Sequence, residues 1–256
     1  MKPALTTIEK LDEPASSTVE IQNKGVLLGD KDIVKEFEER NIIIHPYNKN
    51  NLQSSSYDVS LGESFYREQK IEGKAVYNIY DEKDVLKVWG EPQTAKTLAE
   101  ILKDDKNYSE NEFENIPLDS KIIMIAPGET ILCHTEEFIG GRYNITTMMK
   151  ARSSYGRNFI EVCKCAGWGD VGYYNRFTME ITNNSLKYTI PLIVGQRIAQ
   201  IIFFKVENVS LVYSGKYQKT DPLLGRFDYY DDSIIEKLKN MWSPDKMLPK
   251  LYLDLQ

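Results

Sequence analysis

From Lys121 onward, short apolar runs recur between turn signals: KIIMIAPGETILCHT, FIGGRYNITTMMKA and YTIPLIVGQRIAQIIFFKVENVSLVY. Their β-branched and aromatic content, with Pro-Gly and Gly-Gly punctuation, fits closely spaced antiparallel strands. The spacing predicts a mainly β chain, a distorted antiparallel barrel or jelly roll, with a few short helices. One helix is predicted in GDKDIVKEFEERN, where Ile33, Phe37 and Val34 share a face and Asp30 and Asp32 make the first turn acidic. A second is predicted in SIIEKLKNMW, after Gly225. Residues 1–24 are polar and Ser/Thr-rich and read as a flexible arm. The β domain would run over 25–225, with a helix-friendly, then strongly polar insertion at about 67–118 on its rim. Residues 226–256 would be a helical extension.

The 256 residues carry a formal net charge of −6, which argues against a general nucleic-acid or anionic-membrane binder. No apolar run approaches the ~18 residues that span a bilayer, and the first residues lack the apolar centre of a secretion signal. With three cysteines, too few to staple the chain, the expected setting is cytoplasmic. The histidines are His45 and His134, and Cys163 and Cys165 are separated by one residue. The H-x-E…P-C-x-x-C arrangement of zinc deaminases is therefore absent. The cysteines read as small buried hydrophobes in a strand, not as metal ligands, and both histidines as ordinary. Met148 and Met149 read as core and Trp168 as a packing residue.

GWGDVGYYNRFTMEITN poses the central question. Read as a strand, it directs Phe177, Met179 and Ile181 to one face and Thr178, Glu180 and Thr182 to the other. Glu180 is then either one carboxylate on a solvated face or a group lining a closed pocket, where it could move protons. In KARSSYGRNF, Ser153 and Ser154 suit a helix N-cap, and Arg152 and Arg157 flank them. Further on, VYSGKYQK supplies Tyr213 and Lys216. Two arginines, two serines and a lysine suit a polyphosphate, although the first segment also reads as a plain surface turn.

The order of segments resembles the dCTP deaminase branch of the dUTPase-like superfamily. GVLLGDKDI resembles the family's opening, LQSSSYDVSLG its Q-x-x-S-Y-D-x-x-L-G strand, and APGETILCHTEE its P-G-E stretch. RSSYGR resembles R-S-S-x-x-R, and AGWGDVGYYNRFTMEITN resembles the A-G-x-x-D-x-G-aromatic…E-x-x-N element. GQRIAQIIF and SGKYQ resemble the last two motifs. Seven motifs stand in collinear order over Val26 to Tyr66 and Ile122 to Gln218. LQSSSYDVSLG itself reads as a structural strand contributing to subunit contacts.

The resemblance implies a homotrimer with active sites at subunit interfaces. It implies Glu180 as the catalytic acid/base, where dUTPases carry an apolar residue, with Arg157 as its neighbouring cation. Ser153 and the backbone carbonyl of Ala166 would hold the attacking water. Arg152, Ser154 and Lys216 would contact phosphates, with Gln200 and Tyr213 contributing. Asp170 would accept from the 3′-hydroxyl, Tyr173 would pack on the deoxyribose, and Thr178 and Met179 would offer backbone groups to the base. Magnesium would arrive on the triphosphate, no metal would sit on the protein, and dTTP is a feedback inhibitor in related proteins. The implied reaction is hydrolytic deamination of dCTP to dUTP and ammonia. Two alternatives stand beside it: a bifunctional enzyme that also hydrolyses dUTP to dUMP and pyrophosphate, and a catalytically reduced nucleotide-binding module. A dCMP substrate also stays open. The A-G-W-x-D-x-G-aromatic form is closer to the bifunctional members. Val171, Asn175 and Thr220 depart from the family pattern, as does the tail beyond Gly225.

Overall fold

The structure, a computed structural model, describes residues 26–217, 236–237, 239–240 and 242–255. The arm read at 1–24, Gln218, Thr220 and Gly225 lie outside the described residues, as does much of the helix predicted near the C-terminus. The first helix, α1 (Asp30–Glu38), buries Ile33 completely and packs Phe37 on the core. Next come β1 (Ile42–His45), β2 (Tyr57–Ser60) and β3 (Ser64–Arg67). The polar stretch holds α2 (Glu82–Trp89), β4 (Gln93–Thr94), β5 (Lys96–Thr97) and α3 (Leu98–Asp104). Then β6 (Lys121–Ile125), β7 (Thr130–Gly141), β8 (Ile145–Ala151), α4 (Ser153–Gly156) and β9 (Ile160–Val162) follow. The chain continues through β10 (Trp168–Gly169), β11 (Tyr174–Asn183), β12 (Ile190–Ile193) and β13 (Arg197–Lys205).

The mainly β, antiparallel architecture agrees with the reading of the sequence, and the helices are few and short. The strands form three sheets around one core. One runs β4-β3-β7-β11-β9 with β1 also on β7, a second β10-β8-β13-β2, and a third β12-β6-β5. No closed barrel path runs through the described strands. Apolar side chains from all three sheets, among them Ile131, Ile201 and Ile123, meet in a single buried cluster. No helix among the described residues is long and apolar enough to cross a membrane.

Pro127-Gly128 makes a turn, with Gly128 at φ 74°. Gly140-Gly141, read as punctuation, are the last two residues of β7, the central strand of its sheet, just ahead of the turn at Tyr143 and Asn144. A Cβ on Gly140 would stand 2.1 Å from the Tyr173 carbonyl oxygen, so close backbone approach is what requires glycine there. The stretch read as a rim insertion also does more than hang from the surface. Through β4 it extends β3, through β5 it extends β6, and Leu98 and Phe113 bury against Ile122. A capping box between Thr97 and Glu100 starts α3 where the chain leaves β5.

Candidate active site

β7 and β11 build the floor of the site. Along β11, Met179 and Ile181 are fully buried in the core, so their neighbours Thr178 and Glu180 point to the opposite face. A register shift between Arg176 and Thr178 lets Phe177 serve both the core and the cavity wall. Glu180 pairs in register with Leu132, and these side chains with Thr130 and Thr178 line a cavity of about 710 Å³. Glu180 is half-buried and lines this cavity, rather than standing on a fully solvated sheet face.

The enclosure gives Glu180 its character. Its Oε2 is buried and has no hydrogen-bond partner among the described residues. Burial pushes its pKa above the ordinary glutamate value of 4.5, opposed by a hydrogen bond within the residue and by the charge of Lys164. Lys164 reaches the cavity from a turn in which Cys163, Lys164 and Cys165 have φ of 70°, 34° and 68°. Three consecutive left-handed residues other than glycine are costly, and such strain gathers at functional sites. The turn also delivers Ala166 to the cavity. Of the cysteines read as buried, Cys133 and Cys163 are, but Cys165 is exposed because it stands on this turn.

The mouth of the cavity is aromatic. Tyr173 packs edge-on to Tyr213 at 5.2 Å and to Phe177 at 4.9 Å. Trp168, read as a packing residue, is 55% exposed there and donates to Asp170 Oδ1 at 3.2 Å. The rest of the lining comes from segments outside the motifs, one of them the C-terminal tail. Trp89 closes α2 on one side. Met247 and Pro249 of the C-terminal tail close another, with Met247 and Leu248 packed on Tyr66 and Leu132. The tail is anchored by Lys216 Nζ to Asp254 at 2.6 Å and by the Lys250 amide to the Tyr217 hydroxyl at 3.3 Å. Lys216 is thus ion-paired with the tail.

Within one chain the remaining candidates stand elsewhere. The cap of α4 is Arg152, one residue earlier than the serines that suited it, and it makes no side-chain capping bond. Ser153, Ser154 and Arg157 are exposed, with Arg157 Nη1 3.5 Å from Ser153 Oγ. Gln200 on β13 donates to Ser56 and Asp58. These side chains form a cationic face, and beside it Ser154, Phe159 and Tyr188 line a second cavity of about 540 Å³. The structure therefore gathers Ala166, Asp170, Tyr173, Thr178, Glu180 and Tyr213 in one place, and Arg152, Ser153, Ser154, Arg157 and Gln200 in another. Met179 is fully buried in the core and is not among the residues that line the cavity.

An antiparallel β core with a cavity-lining carboxylate and a separate arginine-serine turn defines a class. The chain belongs to the dCTP deaminase-like family of enzymes, whose model matches residues 27–206. Among curated relatives, the dCTP deaminase, dUMP-forming, of Hydrogenobaculum sp. is 33% identical over 186 residues, 72% of this chain and 85% of that protein. A protein of the same name from Dictyoglomus turgidum is 33% identical over 183 residues, 71% of this chain and 81% of its own. Among solved structures, the 2′-deoxycytidine 5′-triphosphate deaminase from Agrobacterium tumefaciens aligns with a TM-score of 0.47 at 17% identity. That alignment covers 70% of this chain and 48% of the other. A native EIAV dUTPase aligns with a TM-score of 0.31 at 26% identity, over 38% of this chain and 78% of its own.

Proposed function

We propose that the protein deaminates dCTP and carries the product on to dUMP and pyrophosphate. The observation that carries the deaminase reading is Glu180, a carboxylate lining a cavity with its buried Oε2 lacking a hydrogen-bond partner among the described residues. Such a group, with its pKa raised, holds a proton near neutral pH more readily than an exposed glutamate and is suited to general acid–base work. In the reaction, Glu180 takes a proton from a water that attacks C4 of the base and passes it to N3. The resulting C4 hydroxyl gives up its proton as the exocyclic amine leaves as ammonia. The second step adds water at the α-phosphate and releases pyrophosphate. Relatives named dUMP-forming favour this continued reaction over release of dUTP, the outcome read first from the sequence. Release of dUTP is therefore the second reading.

The cationic face would complete the cavity of a neighbouring subunit in a homotrimer. Exposed Phe159 and Tyr188 beside that face favour burial against another copy. In such an assembly Ser153 and the Ala166 carbonyl hold the water and Arg157 joins Lys164 near Glu180. Arg152, Ser154, Gln200, Tyr213 and Lys216 take the phosphates. Asp170 and Tyr173 take the sugar, and the backbone of Thr178 and Met179 takes the base. Magnesium would arrive with the substrate, carried on the phosphates that the cationic face would hold. A pyrimidine triphosphate such as dTTP would compete for the same cavity.

The test is incubation of the full chain with dCTP and magnesium, following ammonia, dUTP, dUMP and pyrophosphate. Ammonia with matching dUMP and pyrophosphate, and no build-up of dUTP, is the expected result. Ammonia with stoichiometric dUTP supports the second reading. Intact dCTP with a folded trimer overturns both.

A further inference from the structure

Asp58 stands at the centre of the cationic face and is 1% exposed at its side chain. Three donors converge on its carboxylate. Arg152 Nε and Arg197 Nη1 each lie 3.3 Å from Oδ2, and Gln200 Nε2 lies 3.3 Å from Oδ1. Secondary contacts tighten the cluster: Arg152 Nη1 donates to the Arg197 carbonyl, and Arg197 Nη1 also reaches the Asn50 carbonyl, both at 3.3 Å. The two arginines keep 31% and 40% of their side-chain surface exposed. Among the described residues, neither Arg152 Nη2 nor Arg197 Nη2 has a partner.

One buried carboxylate therefore orders two guanidinium groups and leaves one net positive charge facing outward. A carboxylate offers about four acceptor sites, and two of the donors that fill them here are guanidinium groups. Here it fixes two planar forks side by side with free edges, an arrangement suited to adjacent phosphate oxygens. Pre-ordering matters because an arginine held in place loses less rotamer freedom when an anion arrives. The strand register supplies the order: Gln200 on β13 pairs directly with Asp58 on β2.

We infer that Arg197 is a further polyphosphate-contacting residue and that Asp58 is a positioning residue that holds Arg197 and Arg152 for the anion. This deepens the dCTP reading and rests on it for the identity of the nucleotide, but the anion site can be tested without turnover. The probe is inorganic tripolyphosphate with magnesium, its binding to the full chain measured by calorimetry beside that of deoxycytidine. Arg197→Ala, at a half-buried position, should weaken tripolyphosphate by about tenfold or more, the loss of one charge-assisted contact, and leave deoxycytidine unchanged. Arg197→Lys should recover part of the loss, because charge remains and the fork does not. Asp58→Asn should weaken tripolyphosphate comparably while its circular dichroism matches that of the parent. With dCTP as substrate, both variants should raise KM with kcat within about threefold, since Glu180 lies in a different cluster. Tripolyphosphate binding unchanged in Arg197→Ala overturns the inference. Failure of the parent to turn over dCTP, with this loss still observed, would instead sink the deaminase reading alone.

Discussion

Glu180 and Asp58 are both carboxylates on β-strands, and their surroundings could hardly differ more. Asp58 is almost wholly buried, yet three donors satisfy it. Glu180 is less buried, yet its Oε2 has no partner among the described residues. A carboxylate met by several donors orders what surrounds it, whereas a buried carboxylate oxygen without a donor is open to a proton. Partner count, more than depth, separates a group that holds structure from one that is free to react.

The largest expected effect comes from removing the reactive member of the pair. Glu180→Gln keeps the shape and loses the base, so deamination should fall about 10²- to 10⁴-fold while dCTP binding by calorimetry persists. Undiminished ammonia release would remove Glu180 from the mechanism. Next, the two clusters can be supplied by different chains. Glu180→Gln and Arg157→Ala proteins, each inactive, should regain about a quarter of the activity when unfolded together and reassembled, because hybrid interfaces pair intact halves. No recovery from well-formed mixed trimers would mean that each chain works alone.

Much of this contrast was legible in the sequence. The alternation Phe177 to Thr182 was enough to send Glu180 and Met179 to opposite faces, because side-chain period in a strand is fixed by backbone geometry. Asp170, Tyr173 and Tyr213, each from a motif, line that same cavity. What stayed hidden depends on contacts between distant segments. Trp89 and Met247 roof the same cavity but are far apart in the chain, and neither belongs to a motif. Lys164 comes from a left-handed turn that contains no glycine or asparagine to announce it. Asp58 was read as part of a structural strand, since the register that places Gln200 beside it follows from the paired sheet alone.

Two further buried ionisable groups on β7 extend the comparison to stability, with opposite signs. Glu137, held by the Ser60 amide at 2.9 Å, is pushed by burial up to about 7. Its protonated form is favoured in the folded chain. That contribution is full below the ordinary value of 4.5 and is lost as pH rises through about 7. Glu137→Gln should therefore stabilise the protein at pH 8 by up to about 3 kcal/mol and have little effect at pH 4.5, as read by denaturant midpoints. His134 runs the other way. Burial lowers it from 6.5 to about 4, so its neutral form is favoured in the folded chain and stability is lost as pH falls through that window. Its ring also fills the space over Gly62, where a Cβ would come within 2.0 Å of Cε1. Gly62→Ala should cost about 1 to 3 kcal/mol through overpacking, and a silent substitution would mean that the ring has room to move.

The smallest effect is the one that tests why Glu180 differs from Asp58. If enclosure raises the pKa of Glu180, opening the roof should lower it. Met247 lines the cavity from the tail, and Met247→Ala would admit water above Leu132 without touching any group proposed to contact the nucleotide. Deamination requires ionised Glu180, so the acid limb of kcat/KM should lie above 4.5 in the parent. In Met247→Ala that limb should move toward 4.5 by a fraction of a pH unit, as desolvation weakens while Lys164 stays in place. The same substitution should leave tripolyphosphate binding unchanged, because Asp58 and its arginines do not line that cavity. A limb that stays fixed while the tail is displaced would assign the shift to something other than the wall, and the partner-count explanation would have to stand without enclosure.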